Sequence, residues 1–439
     1  MLGRRKRGAR RFARDSASAL AHSDFRRLFI AQTVSSFGDA LLPVALTFAV
    51  IESGGSASDI GLVLGAALLP TVALTLVGGV WADRVSRRAI LVGSDALQGF
   101  CQGATAYLLL SGTAEVWHLV VLQALNGIGR AFFHPAVGAI VPSTVPAKDL
   151  QQANALIESV RNVNSIAGPA AAGVLFALSG AGLAILVDAA TFAISMVALM
   201  LMRGGDYRVN SPDVDSSLLR DLRDGWAMVR SRRWLWVELV RSAFDFPIVV
   251  APFLVLGPLI AIERLGGAHA WAAIAAAFSV GALAGSAIAT RYQARRPMFT
   301  CTALMYLTAL PPLMLAYTNT AMGVAAIEGI RGAAVGFFGA TWVTLLQEQI
   351  PDRVRGRVNA WDLTITYGLT PFGYILAAPL AARFSQTAVL TMSGLWAVVS
   401  VSVALAVPEI RQLRRAPLAG ASEPSDPEKL AVAEQSQAN

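Results

Sequence analysis

Charge is scarce in this chain. Of its 439 residues, 15 % are Asp, Glu, Lys or Arg, against 55 % hydrophobic. A soluble protein carries about 25 % charged residues, so a surface facing water on every side is excluded. Cysteine is almost missing: Cys101 and Cys301 both lie inside apolar runs, which leaves no disulfide framework and no Cys/His zinc site. The four histidines, His22, His118, His134 and His269, show no metal-ligand spacing. No glycine-rich phosphate loop ending in Lys-Ser or Lys-Thr interrupts the chain, which argues against a direct ATPase. Neither a metal nor a cofactor is expected, and no enzyme constellation stands out. What is present is long apolar runs separated by arginine clusters, the composition of an integral membrane protein.

A helix needs about 20 mostly apolar residues to cross a bilayer core. Breaks at charges, glycines and prolines leave twelve such segments, called spans 1–12 here: 28–51, 59–81, 89–110, 117–141, 153–179, 183–202, 234–262, 271–290, 298–317, 321–347, 358–382 and 388–407. The runs do not alternate as barrel strands would, so the expected fold is all-α with twelve transmembrane helices.

Lysine and arginine set the orientation. Of 36 in all, 30 fall in the tails and loops on one side, only Arg264 and Arg383 on the other, and Arg130, Arg161, Arg241 and Arg331 within spans. Both termini are therefore expected in the cytoplasm, and the net charge of +8 reflects loops and anionic lipid, not nucleic acid. The expected organisation is a basic tail (1–27), a six-helix bundle (28–202), a linker with an interfacial helix (203–233), a second six-helix bundle (234–407) and a disordered tail (408–439).

The two bundles repeat each other. Val145-Pro146-Ala147-Lys148 through Asn154-Ala155 recurs 205 positions later as Ile350-Pro351-Asp352-Arg353 through Asn359-Ala360. At the same offset Asn126-Gly127 aligns with Arg331-Gly332, and at 206 Ser36 and Asp39 align with Ser242 and Asp245. Two parallel repeats around an axis normal to the membrane place a transporter's substrate site between them, near the midplane.

Gly79-Val80-Trp81-Ala82-Asp83-Arg84-Val85-Ser86-Arg87-Arg88 resembles the G-x-x-x-D-R-x-x-R-R signature of the major facilitator superfamily. Ser36-Phe37-Gly38-Asp39, His134-Pro135-Ala136, Gly168-Pro169-Ala170 and Pro351-Asp352-Arg353-Val354-Arg355-Gly356-Arg357 look like its branch of macrolide-efflux and enterobactin-exporter proteins. The resemblance implies two pseudo-symmetric six-helix bundles and a conformational latch of Gly79, Asp83, Arg84, Arg87 and Arg88, unless those arginines only set topology. Gly168, Pro169 and Gly173 resemble the antiporter signature of span 5, although small residues there also serve helix packing.

Ionisable groups within spans are costly and become site candidates by default. Asp39 lies roughly 18 Å into span 1 at 1.5 Å per residue, near the midplane. Asp39, Glu328 and Asp245 are the candidate proton-coupling acids, with Arg130, Arg331 and Arg241 as charge partners. Desolvation raises a carboxyl pKa and a nearby arginine lowers it, so an acid whose partner moves away exchanges a proton. The alternatives are a packing hydrogen bond for Asp39 and static pairs for Glu328–Arg331 and Asp245–Arg241. Asp188 and the Glu158/Arg161 pair read as structural, and Asp95 as either a latch partner or a packing acid.

Phe37, Phe132, Phe337, Phe338, Trp342 and Tyr367 could line an apolar cavity, although helix packing is the commoner use of such residues. The function expected is proton-antiport export of small amphipathic compounds by alternating access, carried out by a monomer in a bacterial cytoplasmic membrane. A relative that imports or moves lysophospholipid, or a non-transporting sensor, shares the same fold-level signals.

Overall fold

The computed structural model describes residues 18–84, 86–203, 218–292 and 294–414, and among them there are helices and no strands. Span 1 is Ser23–Glu52, span 2 Ala57–Arg84, span 3 Arg87–Leu110 and span 4 Val116–Ile140. Spans 5 and 6 run as Leu150–Met200, broken at Gly180, whose φ of 77° only glycine adopts cheaply. Glu52 accepts from the amide of Ala181 at 3.3 Å, closing that bend. Span 7 is Arg233–Asp245 continued by Ala251–Ile260, with a widened turn over Phe246–Val250 where Pro247 withholds its donor. Spans 8 and 10 are Ala268–Arg291 and Ala321–Gln349; span 9 runs from Pro297 to Tyr317. Span 11 is Asp352–Gly368 with Thr370–Phe384, and span 12 is Gln386–Ala406.

Nine helical segments among the described residues are long and apolar enough to cross a membrane. Spans 3 and 4 have the length, at 24 and 25 residues, but carry polar stripes that lower their hydropathy. Those stripes, Ser94, Asp95, Gln98 and Gln102 on one helix and Gln123 and Asn126 on the other, are buried.

Glycine sets how close the helices come. A methyl group at Gly127 would run into the Ala67 carbonyl of span 2, and one at Gly332 into the Phe278 carbonyl of span 8. The two glycines aligned by the sequence repeat thus serve the same contact in each set of six spans. Spans 8 and 10 pack closest, with the carbonyls of Gly329 and Ala333 filling the side-chain space of Gly281 and Gly285.

The apolar cores differ between the two ends of the molecule. At the end away from the arginine clusters, Phe48, Ile60 and Ile185 share one continuous core with Leu256, Ile274, Leu315 and Ala377. At the basic end, Leu28, Leu91, Ile140 and Leu199 form one core and Leu235, Met298, Leu345 and Val358 another. The first and last six spans therefore join at one end and keep separate cores at the other. The linker helix Leu218–Ser231 docks on the start of span 11, with Trp226 against Trp361 at 5.1 Å and Val229 fully buried.

The chain entering span 1 is tied down at the basic end. Asp149 accepts from Ser18 Oγ at 2.7 Å and meets His22 Nε2 at 3.1 Å. The Ser18 bond first and the His22 bond next favour the ionised carboxylate, holding its pKa below the ordinary value. A depressed acid contributes stability above its unfolded pKa and loses it as pH falls through the folded one, so the tie holds at neutral pH and is released only in acid. Asp149→Asn is expected to speed amide exchange across residues 18–25 at neutral pH, read by mass spectrometry against wild type.

Candidate functional site

Span 1 brings Asp39 to the middle of the first six spans, where Arg130 of span 4 meets it at 3.3 Å. Gly168 of span 5 closes on Ala40, the next residue of span 1, so closely that a side chain there would overlap it. Asn164 of span 5 donates to Thr33 O at 2.8 Å and Ser36 Oγ at 2.6 Å. Span 5 is thereby fixed beside the Asp39 carboxyl. Gly173 packs on Ala272 of span 8 and so joins the two sets of spans; the side chain of Pro169 lies outside the described residues.

Asp245, aligned with Asp39 by the repeat, is held differently. Arg241, one turn earlier on the same helix, binds it and also donates to Glu238 Oε1 from Nε at 2.9 Å. Trp396 Nε1 adds a bond to Asp245 at 3.1 Å, and Thr302 reaches Glu238 at 3.4 Å. Glu328 and Arg331 likewise share a helix and form a two-toothed pair, with Nη2 to Oε1 at 2.8 Å. The guanidinium also lies 4.4 Å from the Phe278 ring centroid, a favourable cation–π position.

The three acids thus separate on one geometric point. Asp245 and Glu328 take their cation from their own helix, three or four residues away, so no helix movement parts them. Asp39 takes its cation from another helix, and that separation can change without unwinding either.

Removing one partner of a buried ion pair leaves an uncompensated charge, at a cost of about 3–5 kcal/mol. Arg331→Met is expected to lower thermal stability by that order in detergent. The double variant Glu328→Gln/Arg331→Met should recover most of it.

The latch residues are only partly visible. Gly79, Asp83 and Arg84 fall on span 2, but their side chains lie outside the described residues, as does Val85. Arg87 donates to Ala139 O at 2.7 Å; Arg88 donates to Leu199 O at 3.0 Å and also binds Met200 O. Their described partners are helix-end carbonyls of spans 4 and 6 and not carboxylates. Carbonyls in the last turn of a helix carry the negative end of its dipole, and Leu199 O also accepts from the amide of Met202 at 3.2 Å.

The aromatic candidates are not one set. Phe338 stacks on Trp342 at 5.8 Å, and Trp342 donates to Asp362 at 2.8 Å. Tyr367, further along span 11, packs on Phe246 at 4.8 Å. Phe337 turns the other way, buried against Tyr292, while Phe37 and Phe132 belong to the first six spans. Sequence reasoning missed Glu238 and Asp362, although both are acids within apolar runs and the rule that singled out Asp39 reaches them too.

Apolar helices of membrane-crossing length, in two sets that share a repeat and enclose buried ionic groups, are the architecture of a polytopic membrane transporter. The chain belongs to the Major Facilitator Superfamily, whose profile matches residues 28–373. It is similar to macrolide efflux protein A of Streptococcus pyogenes, 24 % identical over 89 % of this chain and 96 % of that one. It is also similar to the multidrug efflux pump Tap of Mycolicibacterium fortuitum, 28 % identical over 88 % and 96 %. Among solved structures, the nucleoside transporter NupG aligns with a TM-score of 0.63 at 13 % identity, covering 89 % of this chain and 100 % of that one. A POT family transporter in complex with a thioalcohol-conjugated peptide aligns at 0.68 and 13 %, covering 88 % and 96 %. At that identity these structures speak for the fold alone.

Proposed function

We propose that this chain exports small amphipathic organic compounds, macrolide-like molecules among them, across a bacterial inner membrane in exchange for protons. Two relatives named as efflux proteins, each covered almost end to end, support the export direction and the substrate class. The observation that carries the proton coupling is the Asp39–Arg130 contact at 3.3 Å between two different helices. When span 1 moves relative to span 4, the guanidinium withdraws and the carboxyl binds a proton; when they return, the proton leaves.

The units are a bundle over 28–202 and a second over 234–407, joined by 203–233, with the basic face in the cytoplasm. In that orientation the core shared by both bundles closes the outer side. The separate cores at the basic end leave the two bundles unjoined on the cytoplasmic side in this conformation.

In inverted vesicles carrying a preformed pH gradient, adding a macrolide should collapse the gradient in proportion to protein content. A gradient unaffected by substrate, with the compound still accumulating, sinks the antiport reading.

A further inference from the structure

The interior of the first six spans is lined by polar side chains from four helices. Span 1 contributes Gln32, Ser35 and Asp39; span 3 Ser94, Asp95, Gln98 and Gln102; span 4 Gln123, Asn126 and Arg130; span 6 Asp188, Thr191 and Ser195. All but Asp39 and Arg130 are buried. They meet across helix boundaries: Gln123 donates to Gln102 at 3.2 Å and Ser195 to Asp95 at 2.5 Å. Gln98 lies under Gly129, where a side chain would come within 2.8 Å of its Cγ.

Several of these groups lack hydrogen-bond partners within the protein. Gln32 Nε2, Asp95 Oδ1, Gln102 Nε2, Gln123 Oε1, both amide atoms of Asn126 and Asp188 Oδ2 are buried with no protein hydrogen-bond partner. Buried polar groups are satisfied by protein or by water, so these atoms call for partners that the helices around them do not supply in this arrangement.

Asp188 stands at the centre of this lining. Its Oδ1, with the Thr191 hydroxyl, fills the space that any side chain at Gly38 would need, which places it beside Asp39. The charged groups facing it are Asp39 of span 1 and Arg130 of span 4, and Asp95 of span 3 interacts with Asp39 in turn. The charged residues of span 5, Glu158 and Arg161, pair with each other at 3.4 Å nearer the basic end. Asp39 and Asp188 thus face one guanidinium, and Arg130 can balance only one of them.

We propose that Asp188 is a second proton-binding group, which shares Arg130 with Asp39 and exchanges protons with it through the polar lining. This extends the antiport reading above and names a residue that the sequence reads as structural. When Arg130 lies against Asp39, Asp188 keeps its proton; when Arg130 is released from Asp39, it can offset the charge on Asp188 instead.

The test uses the purified full-length protein in lipid, with no substrate, and follows the infrared absorption of protonated carboxyl groups through a pH titration. The wild type should show at neutral pH a component that Asp188→Asn removes. Asp39→Asn frees Arg130, so Asp188 should then hold its proton about tenfold less tightly or weaker still. Gly38→Ala retains every carboxyl but presses on Asp188, and should shift the same component; it carries the test if Asp188→Asn does not fold. A component that titrates alike in wild type, Asp39→Asn and Gly38→Ala overturns the proposal, as does an Asp188→Asn spectrum equal to wild type. No transport is measured, so a failure of antiport in vesicles would remove the proposed function without imitating either result.

Discussion

Asp39→Asn is expected to leave inverted vesicles unable to collapse a pH gradient on addition of substrate, while the protein remains folded in the membrane. Asparagine preserves the shape of the side chain but carries no exchangeable proton. Of the three candidate acids, Asp39 alone has its cation on a different helix, so its loss is not made up by the others. One charge moving through about 150 mV supplies roughly 3.5 kcal/mol. At 1.36 kcal/mol per decade, that sustains a substrate gradient of about 300- to 400-fold, which the variant should lose entirely. Asp39→Glu keeps the acid at a longer reach and should retain part of the activity. A normal response from Asp39→Asn would remove Asp39 from the mechanism.

A large effect on stability is also expected at the seam between spans 8 and 10. Any side chain at Gly281 or Gly285 would meet the backbone carbonyl of Gly329 or Ala333. Backbone does not yield as the end of a flexible side chain does, so the helices must separate along their whole contact. Overpacking costs about 1–3 kcal/mol, occasionally more, and Gly285→Leu should fall at or above the top of that range. The expected readout is a large drop in melting temperature and loss of the monodisperse peak in size-exclusion chromatography. Gly339, on the same helix as Gly329, has nothing within 4 Å of where a methyl would stand. Gly339→Ala should be neutral or mildly stabilising, since alanine is the better helix former. Equal damage at both positions would refute the close packing.

Much of the fold was legible because hydropathy in a bilayer is so strong a constraint. The expected break between residues 179 and 183 falls on Gly180, and the glycines at 127 and 332, paired by the repeat alone, make matching contacts. The site was legible only in part. That Asp39 is near mid-membrane follows from counting residues, but that Arg130 faces it depends on how span 4 is rotated, and a helix apolar on most sides does not declare its rotation. The same blindness hid Asp188: its neighbour Gly38 is 150 residues away in sequence, and nothing in either span marks the meeting. Nor does the sequence show that Arg87 and Arg88 reach the carbonyls that end spans 4 and 6. A sequence lists side-chain partners but not which helix ends come within reach.

The central claim is that parting Asp39 from Arg130 trades one proton for one step of substrate export. Its most direct test is a flux ratio in liposomes of purified protein, with a pH-sensitive dye inside and a macrolide added at the basic face. The account predicts proton movement opposite to the macrolide in a fixed ratio, absent in Asp39→Asn. It also predicts that uphill transport stops once an ionophore equalises the proton gradient. Uphill transport that continues at an undiminished rate after the ionophore, or in Asp39→Asn, would contradict it.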